Sequence, residues 1–538
     1  MLLLAAGLAL AADAREIRIE ILHTADVHGN VFSSGLSGDE RRRGGLLRCA
    51  TLVAAVRAGN PHAVLLDIGD LFQGTAESLR TRGMLVADVV KSMRYDGLVI
   101  GNHEFDWGAA ALWSFYQRAG VPVLAADIFT AEAAPAVKAG LWPEAGNRSL
   151  RPDAIQPFFI RNIQGVRLAV IGLSNPHMPH WFKPDMLGNL VFLDSVVALR
   201  GIMPKVREAK PDILVLAVHQ GYRDWGDNPA NAINRIAANF PELTAIIGAH
   251  SHVAMPAEEI NGVLYTQTEP YASSLGKLTV TFDLARRQIT GRRAELLPAD
   301  AAVPPDPRLL EEFGQVRAES AADLDQIIGT AACDHTADPV TPGQSRVQSL
   351  IAAAVAERTG ADVVLHGTLT ASAIYAGAVR VRDVWRIVPY ENTIGVAQLT
   401  LEELGAILAE NSRYFNSPQF RGVYGATYRL DFAEQQPRIS AVKIQGAAEP
   451  GGRRYPVAFN SFDLASAGDR FPLLREITER PGSRLADTGL DTRQIVMDYI
   501  ARHPDFDILS IPPESGAMVS PGRKPGRNLP GSASAQQQ

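Results

Sequence analysis

The first half of the chain alternates short apolar runs with segments of helical spacing. Residues 17–23 predict a strand, and residues 46–56 predict a helix that ends near Gly59. Further buried strands are predicted at residues 63–66, 98–100, 167–173, 213–218 and 245–247. Short apolar strands separated by helices are typical of central sheets covered on both faces. The pattern therefore predicts an α/β fold.

The pattern changes twice further along the chain. Residues 262–283 have period-two alternation, which predicts antiparallel strands that close the first domain. Residues 298–307 are rich in Pro, Asp and Ala and predict a linker, after which residues 309–328 have helical spacing. A second α/β region starts near Gln344, with a helix at 347–356, a strand at 361–365, more strands up to Phe462 and a last helix at about 492–501.

Composition and the chain ends narrow the class of protein. The 538 residues are 46% hydrophobic and 20% charged with a net charge of −6, and no basic face is visible, which excludes a nucleic-acid partner. Residues 2–12 (LLLAAGLALAA) lead into Ala12-Asp13-Ala14, which predicts a cleaved signal peptide at residues 1–14. That segment is too short to span a bilayer, and no other stretch is apolar enough. We therefore expect a periplasmic or secreted protein without a membrane span.

Five segments share a feature: each is an apolar run that ends in side chains able to bind metal. They are ILHTADVHGN with Asp26 and His28, LLDIGDLFQGT with Asp67 and Asp70, VIGNHEFDWG with Asn102, His103 and Asp106, LVLAVHQGY with His219, and AIIGAHSHV with His250 and His252. The carboxyl ends of strands are where α/β folds place their sites. We expect residues two apart on an extended chain to face the same ion.

The residue types in these segments suit a pair of first-row metal ions. Imidazole favours zinc, iron, nickel or copper, and carboxylate or amide oxygen favours harder ions such as manganese. Two ions about 3.5–4 Å apart can clamp a phosphoryl group and activate water. We interpret Asp67 as a brace of its loop, His23 as structural, and His177 and His180 as surface residues or residues behind the ligands.

The motifs DVHG, GDLFQGT, GNHEFD, VH and GAHSH resemble the five blocks of the calcineurin-like metallophosphoesterases. The resemblance is closest to the bacterial periplasmic 5′-nucleotidase and 2′,3′-cyclic-nucleotide phosphodiesterase family. It implies a four-layer αββα domain at residues 16–296, a linker and connecting helix at 297–330, and a smaller α/β 5′-nucleotidase-type substrate domain at 331–511. We expect the remaining residues, 512–538, to be a disordered tail.

The resemblance also implies roles for single residues. Asp26, His28, Asp70 and His252 would hold one divalent ion, and Asp70, Asn102, His219 and His250 the other, with Asp70 bridging. The ions would be Zn, Mn or Fe. His103, oriented by Asp106, would act on the phosphoryl or leaving-group oxygen, and a metal-bound hydroxide would attack directly, without a covalent intermediate.

The C-terminal domain departs from the family pattern at the nucleoside site. The family segment NGG-x-IR appears here as LHGTLTASAIYAG, so that Ala371 replaces the arginine. The segment PF-x-N appears as VPYENT, where Tyr390 can still supply a ring. The segment F-x-x-x-GGDG-[FY] appears as NSFDLASAGDRF, with Asp463 in place of the second ring beside Phe462, while Asp469 is kept. The resemblance makes Tyr390, Phe462 and Asp469 the expected substrate-binding residues.

These observations predict a hydrolase of phosphate esters that uses two metal ions. The expected substrate is a small phosphate ester, a nucleotide being one candidate, and the activity that of a 5′-nucleotidase-like phosphomonoesterase or a cyclic-nucleotide phosphodiesterase. Two alternatives remain open. One is a sulfur-ester hydrolase resembling the sulfate thiohydrolase of thiosulfate oxidation, and the other is a non-catalytic binding protein on the same fold.

Overall fold

The computed structural model describes residues 16–32, 44–143, 150–341, 343–431, 438–446, 453–507 and 516–519. The expected signal peptide at residues 1–14 lies outside the described residues. Within them, the first part of the chain forms two large sheets, and the second part forms a smaller five-stranded sheet.

The first part contains fifteen described strands and eight described α-helices. The strands are β1 (Glu16–Thr24), β2 (Val64–Asp67), β3 (Gly97–Val99), β4 (Val123–Leu124), β5 (Ile128–Thr130), β6 (Ile155–Gln156), β7 (Phe158–Ile163), β8 (Val166–Leu173), β9 (Leu190–Phe192), β10 (Ile213–Val218), β11 (Ala245–Gly248), β12 (Met255–Ile260), β13 (Val263–Gln267), β14 (Ser274–Asp283) and β15 (Gln288–Pro298). The helices are α1 (Leu46–Gly59), α2 (Ala76–Arg80), α3 (Met84–Met93), α4 (Gly108–Ala119), α5 (Ala134–Lys138), α6 (Pro184–Leu187), α7 (Ser195–Glu208) and α8 (Ile233–Asn239).

The two large sheets stack face to face. The first sheet has the order β15-β14-β1-β2-β3-β4-β6, and the second has the order β12-β13-β11-β10-β8-β7. Ile19 and Ile21 of β1 point between the sheets into a core shared with Val215 of β10, whereas Leu22 faces α1 on the outside. Both faces of β1 are apolar at this end because both are buried. The result is the four-layer αββα arrangement expected from the sequence.

Helices cover the two outer faces of this sandwich. Helices α1, α3 and α4 pack on the first sheet, and α7 and α8 pack on the second. Helix α7 begins at Ser195 because the side chain of Asp194 accepts hydrogen bonds from the backbone N–H groups of Val196 and Val197, at 3.0 and 3.2 Å. No described helix combines the length and the apolar character that a membrane crossing would require.

The second part of the chain begins with a long helix that contacts both domains. Its described elements are α9 (Pro307–Asp325), β16 (Ile327–Ala331), β17 (Pro339–Thr341), β18 (Gln344–Ser345), α10 (Arg346–Thr359), β19 (Val363–His366), β20 (Gly377–Arg380), α11 (Val381–Ile387), β21 (Thr393–Leu399), α12 (Leu401–Ser412), β22 (Gly422–Tyr424), β23 (Ala426–Asp431), β24 (Arg438–Ile444), β25 (Tyr455–Asn460), α13 (Ser461–Leu464), α14 (Pro472–Glu479), β26 (Ala486–Asp491), α15 (Thr492–Arg502) and β27 (Gly516–Val519).

The C-terminal domain has three layers. Its central sheet has the order β22-β19-β25-β21-β26, with α10, α11 and α15 packed on one face and α12 and α14 on the other. Leu324 of α9 packs between Ala76 of the first domain and Trp385 of the second. The connecting helix therefore joins the two domains by apolar contact.

The structure differs from the sequence-based expectations at some element ends. The helix expected to reach Ile328 ends at Asp325, because Ile327 begins a strand that pairs with β20. Part of the expected tail is ordered: β27 pairs in parallel with β23, with Thr427 beside Gly516. A sheet edge supplied from distant sequence can order a short segment that lies within a stretch whose composition predicts disorder. The rest of the expected tail, apart from β27, lies outside the described residues.

Candidate metal centre and the cavity beside it

Five strand ends bring the candidate ligands to one edge of the sandwich. Asp26, Asp70 and Asn102 follow β1, β2 and β3 of the first sheet. His219 and His250 follow β10 and β11 of the second sheet. Because these five strands are parallel within each sheet, their carboxyl ends lie on the same side of the domain.

One group of donor atoms comprises Asp26, His28, Asp70 and His252, all within 4.8 Å of one another. The Nε2 atoms of His28 and His252 are 3.0 Å apart, and His252 Nε2 lies 3.6 Å from Asp26 Oδ1. His28 Nε2 is 3.9 Å from Asp70 Oδ2. Four nitrogen and oxygen donors thus converge on one point.

A second group of donor atoms shares Asp70 with the first and adds His219 and His250. His219 Nε2 lies 3.1 Å from Asp70 Oδ2 and 3.1 Å from the amide oxygen of Asn102. The same amide oxygen is 3.0 Å from His250 Nδ1. Asn102 therefore completes this group, and Asp70 lies between the two.

The donor set fits two divalent ions. Ligand nitrogens bind zinc at about 2.0–2.1 Å, so two ligands of one ion lie about 3 Å apart, as these atoms do. His219 Nδ1 donates to the backbone oxygen of Ile68 at 2.7 Å, which leaves the lone pair of Nε2 facing two oxygen acceptors. A cation at that point satisfies all three atoms.

The charges at the site also favour positive charge there. Burial alone lowers the pKa of His219, but the carboxylate of Asp70 outweighs it and raises this pKa to about 9. Burial raises the pKa of Asp70, but His219 and His103 outweigh it, and the net pKa of Asp70 is well below its usual range. The pKa of Asp26 is raised, chiefly by burial.

Five of the candidate ligands have left-handed backbone conformations. The φ angles are 50° at Asp26, 49° at His28, 56° at Asp70, 73° at His250 and 54° at His252. A non-glycine residue in such a conformation costs about 1–3 kcal/mol and is concentrated at functional sites. The expectation that D-x-H and H-x-H lie on extended chain was therefore wrong. The strands have ended, and a turn aims each side chain separately.

Backbone hydrogen bonds hold these turns together. Asp26 N–H donates to the oxygen of Gly69 at 3.0 Å, and His28 N–H donates to the oxygen of Asp70 at 2.9 Å. Across the two sheets, His250 N–H donates to the carboxylate of Asp26 at 2.9 Å. The ligand loops therefore fix one another.

Glu104 is a structural residue of the site that the sequence reasoning missed. Its buried carboxylate accepts hydrogen bonds from the backbone N–H groups of Gly101 at 2.6 Å, Asp70 at 2.8 Å and Leu71 at 2.6 Å. Burial, followed by the charge of Asp70, raises the pKa of Glu104 to about 7. The sequence could have indicated this role, because the motif GNHEFD places a carboxylate next to apolar residues.

His103 and Asp106 form a pair beside the two ligand groups. His103 Nδ1 is 2.8 Å from Asp106 Oδ2, and the backbone N–H of His103 donates to Asp70 Oδ1 at 2.8 Å. Burial lowers the pKa of His103, but Asp106 and Asp70 outweigh it and raise this pKa to about 10. Asp106 thus fixes the ring through Nδ1 and favours its protonated form.

Several residues have the structural roles that the sequence suggested. Asp67 accepts hydrogen bonds from the Thr24 hydroxyl at 2.6 Å and from Gly69 N–H at 2.9 Å, so it braces its loop. His23 is fully buried, and neither of its ring nitrogens has a hydrogen-bond partner among the described residues. Burial lowers the pKa of His23 to about 3, which keeps the ring neutral.

His177, His180 and Asp469 lie together where the two domains meet. Asp469 Oδ1 pairs with His180 Nδ1, and Asp469 Oδ2 is 3.6 Å from His177 Nε2. The two imidazole rings stack at 4.2 Å with an angle of 11°, so their in-plane lone pairs run parallel instead of converging on an ion. The structure therefore places Asp469, an expected substrate-binding residue, in an interdomain contact.

A cavity of about 1200 Å³ connects the candidate metal centre to the C-terminal domain. Asn102 and His103 lie at one end, and Tyr390 and Phe462, the two expected aromatic residues, also line it. Ala371 lines the cavity and is exposed, so no arginine occupies the family position. The structure thus brings both predicted rings to the cavity that contains His103.

The sequence reasoning missed the partner of Asp463. The Nε and Nη2 atoms of Arg421 donate to the two oxygens of Asp463 at 2.9 and 2.8 Å, and Asn460 Nδ2 donates to it at 3.0 Å. A buried, bidentate ion pair therefore stands where the family has a stacking ring. The two residues are 42 positions apart, so no local pattern in the sequence links them.

Comparison with known proteins gives two matches to family models. Residues 19–254 match the family described as calcineurin-like phosphoesterase, and residues 327–476 match the 5′-nucleotidase C-terminal domain. Protein UshA of Yersinia enterocolitica is 25% identical to the chain, with 92% of this chain and 93% of that protein covered. A 5′-nucleotidase of Vibrio parahaemolyticus is 23% identical, with 93% and 92% covered.

Solved structures show the same fold over nearly the whole chain. The 5′-nucleotidase precursor of Thermus thermophilus superposes with a TM-score of 0.67 at 24% identity, covering 94% of this chain and 100% of that one. The sulfate thiohydrolase SoxB of the same organism superposes with a TM-score of 0.61 at 17% identity, covering 94% and 97%. Both likenesses concern the fold alone.

Proposed function

Because the chain belongs to the calcineurin-like phosphoesterases, with a 5′-nucleotidase C-terminal domain behind the catalytic one, we propose that it hydrolyses small phosphate esters at a pair of divalent ions. It is a metal-dependent phosphoesterase by family. The observation that carries the proposal is the shared carboxylate of Asp70, which belongs to both groups of donor atoms beside His103.

Seven side chains would hold the two ions. Asp26, His28 and His252 would bind one, and Asn102, His219 and His250 the other, with Asp70 between them. When bound, the ions supply Lewis acidity that activates water and neutralises the phosphoryl oxygens. The donors include both imidazole and oxygen, so Zn, Mn and Fe all remain candidates.

His103 would hold the proton that the reaction needs. Its Nδ1 is bonded to Asp106, which fixes the ring, and its Nε2 would donate to the phosphoryl or leaving-group oxygen. The hydrogen bond from its backbone N–H to Asp70 ties the position of the ring to the ligand that both groups share. The acid and the ligand set would therefore keep a fixed distance from each other.

A 5′-nucleotide is the first substrate to test, since several relatives bear the name 5′-nucleotidase. Tyr390 would offer one stacking surface in the cavity, and Phe462 would lie nearby. A cyclic-nucleotide phosphodiesterase activity would use the same centre. The alternative of a sulfur-ester hydrolase has less support, because it rests on similarity of fold to the sulfate thiohydrolase SoxB at 17% identity.

We also propose that the protein is exported and processed. The motif Ala12-Asp13-Ala14 carries this proposal, and one structural relative is described as a precursor. Expression in a bacterial host, followed by fractionation and N-terminal sequencing, tests it. A periplasmic product that begins near residue 15 is expected, and an unprocessed cytosolic product would contradict export.

Hydrolysis by the metal-loaded full chain tests the function. The panel contains 5′-nucleotides, 2′,3′-cyclic nucleotides, an aryl phosphate, an aryl phosphodiester and a sulfur ester, with and without a chelator. We expect phosphate monoesters to be cleaved, two ions per chain by elemental analysis, and loss of both after chelation. Protein that binds divalent ions but cleaves only the sulfur ester would refute the proposal.

A further inference from the structure

Among the described charged residues that line the cavity, all but Arg470 and the exposed Asp338 have an oppositely charged partner across the domains or within them. Lys183 lies 2.9 Å from Asp487, and Arg421 pairs with Asp463. Arg470 also lines the cavity, but no carboxylate of the described residues lies within 4 Å of its guanidinium nitrogens. The cavity wall therefore has one positive charge without a direct partner.

Arg470 is held in one orientation by its neighbours. Its Nε donates to the backbone oxygen of Ala467 at 2.7 Å, and its guanidinium lies over the ring of Phe462 at 5.2 Å. These contacts use Nε and one face of the guanidinium. The two terminal nitrogens therefore keep four N–H bonds for a ligand.

The surroundings of Arg470 make an anion favourable there. The side chain is partly buried, and this burial, followed by the charge of Arg421, lowers the pKa of Arg470. Two guanidinium groups thus face one carboxylate, that of Asp463, which Arg421 already occupies with two hydrogen bonds. A partly desolvated cation without a carboxylate partner is less stable than a paired one, and a bound anion would stabilise it.

The same contact limits what Phe462 can do. Since a guanidinium covers one face of its ring, that face is not open to a nucleobase. Arg470 stands where the family segment GGDG-[FY] has glycine, and Asp463 stands where it has a ring. Asp463 thus replaces an uncharged ring, and Arg470 replaces a residue without a side chain, so both changes add a charged group to this wall.

We propose that Arg470 is a specificity-determining residue that binds an anionic group on the organic part of the substrate. The preferred ester then carries a carboxylate or a second phosphate in addition to the phosphoryl group that is cleaved. This inference rests on the proposed function. His103 and Arg470 line the same cavity of about 1200 Å³, so both side chains border the space that a substrate would occupy.

The experiment compares matched pairs of esters that differ in one anionic group. Glycerol 2-phosphate is paired with 2-phosphoglycerate, and 4-(hydroxymethyl)phenyl phosphate with 4-carboxyphenyl phosphate, so that the anion is tested at a short and a long reach. A nucleoside 5′-monophosphate is paired with its 3′,5′-bisphosphate. The kcat/KM ratio of charged to uncharged partner is measured for wild type, Arg470→Met, Arg470→Lys and Arg453→Met.

The expected result is a ratio of about ten or more in wild type for at least one pair, reduced 10–100-fold in Arg470→Met, mainly through KM. Arg470→Lys should keep part of the preference, since it keeps the charge but loses the planar guanidinium. Arg453 lies 5.0 Å over Tyr455 on an exposed part of the same domain, outside the cavity, so Arg453→Met controls for loss of a stacked arginine. Circular dichroism and Tm check folding.

A ratio near one for every pair, unaltered by Arg470→Met, would overturn the inference and leave the proposed function intact. If the metal-loaded wild type cleaves no phosphate ester, the proposed function fails instead. Calorimetry with 4-carboxyphenyl phosphate then decides the inference separately, on the His103→Ala variant with and without Arg470→Met. Weaker binding in the double variant supports it, and equal binding refutes it.

Discussion

The two ends of the cavity are built in different ways. At the candidate metal centre, backbone conformation fixes the side chains, since five candidate ligands lie in left-handed turns that hydrogen-bond to one another. At the C-terminal end, side chains fix side chains, as in the Arg421–Asp463 pair and the contact between Arg470 and Phe462. We expect few substitutions to be tolerated at the candidate metal centre. At the C-terminal end of the cavity, by contrast, we expect that the exchange of a few charged residues can alter which molecule binds.

The apolar cores that support the two ends of the cavity are more alike than the polar side chains that line them. Leu66 of the first domain and Val457 of the second are both fully buried in a strand near the site. Each site is therefore supported by a buried apolar core. The difference in expected tolerance comes from the loops that carry the polar groups and not from the cores.

The largest expected effect is at Asp70. In Asp70→Ala both donor groups lose a member, so we expect elemental analysis to find neither ion at full occupancy and kcat/KM to fall by about 10⁴-fold or more. Asp338→Asn, at an exposed cavity residue, is the matched control and should keep both ions. Loss of one ion with the other fully retained would show that Asp70 does not bridge.

The next largest effect is expected at His103, the proposed acid beside the candidate metal centre. His103→Ala should lower kcat by about 10²–10⁴-fold while both ions stay bound, because the ring belongs to neither group of metal donors. Asp106→Asn should lower it less, since the ring remains but loses its partner. Lost metal with unchanged turnover would contradict this role.

A smaller effect tests how tightly the backbone fits at the candidate metal centre. A Cβ at Gly101 would lie 2.3 Å from Asp70 Oδ1, so Gly101→Ala should displace the carboxylate and weaken metal binding by about 10–100-fold in a chelator competition. A Cβ at Gly59, at the end of α1, meets nothing within 4 Å, and Gly59→Ala should leave metal affinity unchanged. Equal affinities in both variants would show a looser site.

The smallest effect is expected at the C-terminal end. Ala371 is exposed and lines the cavity, so Ala371→Arg has room to restore a guanidinium near the substrate. We expect KM for 5′-nucleotides to fall by about 3–10-fold with little change in kcat, because an exposed charge contributes modestly. Ala371→Gln is the control of similar length without charge. An unchanged KM would show that the part of the cavity around Ala371 does not contact the nucleotide.

The sequence predicted the fold class and the family correctly, because both depend on local signals. Strands such as β8 and β10 are apolar on both faces, and motifs such as GNHEFD are contiguous. The assignment of ligands to two ions stays a prediction, although the structure brings all seven side chains together. The ordered strand β27 was not predicted, because its partner β23 is about ninety residues away in sequence.

The sequence by itself determined which residue types are present at each strand end. It therefore determined that side chains able to bind a metal ion lie there. Only the tertiary structure decided how those residues turn, as the left-handed backbone at Asp26 and His250 shows. The tertiary structure also decided which charged residues form ion pairs. Arg421 pairs with Asp463, whereas Arg470 has no carboxylate partner among the described residues. Pairing of this kind depends on distances in space, which separation along the chain does not encode.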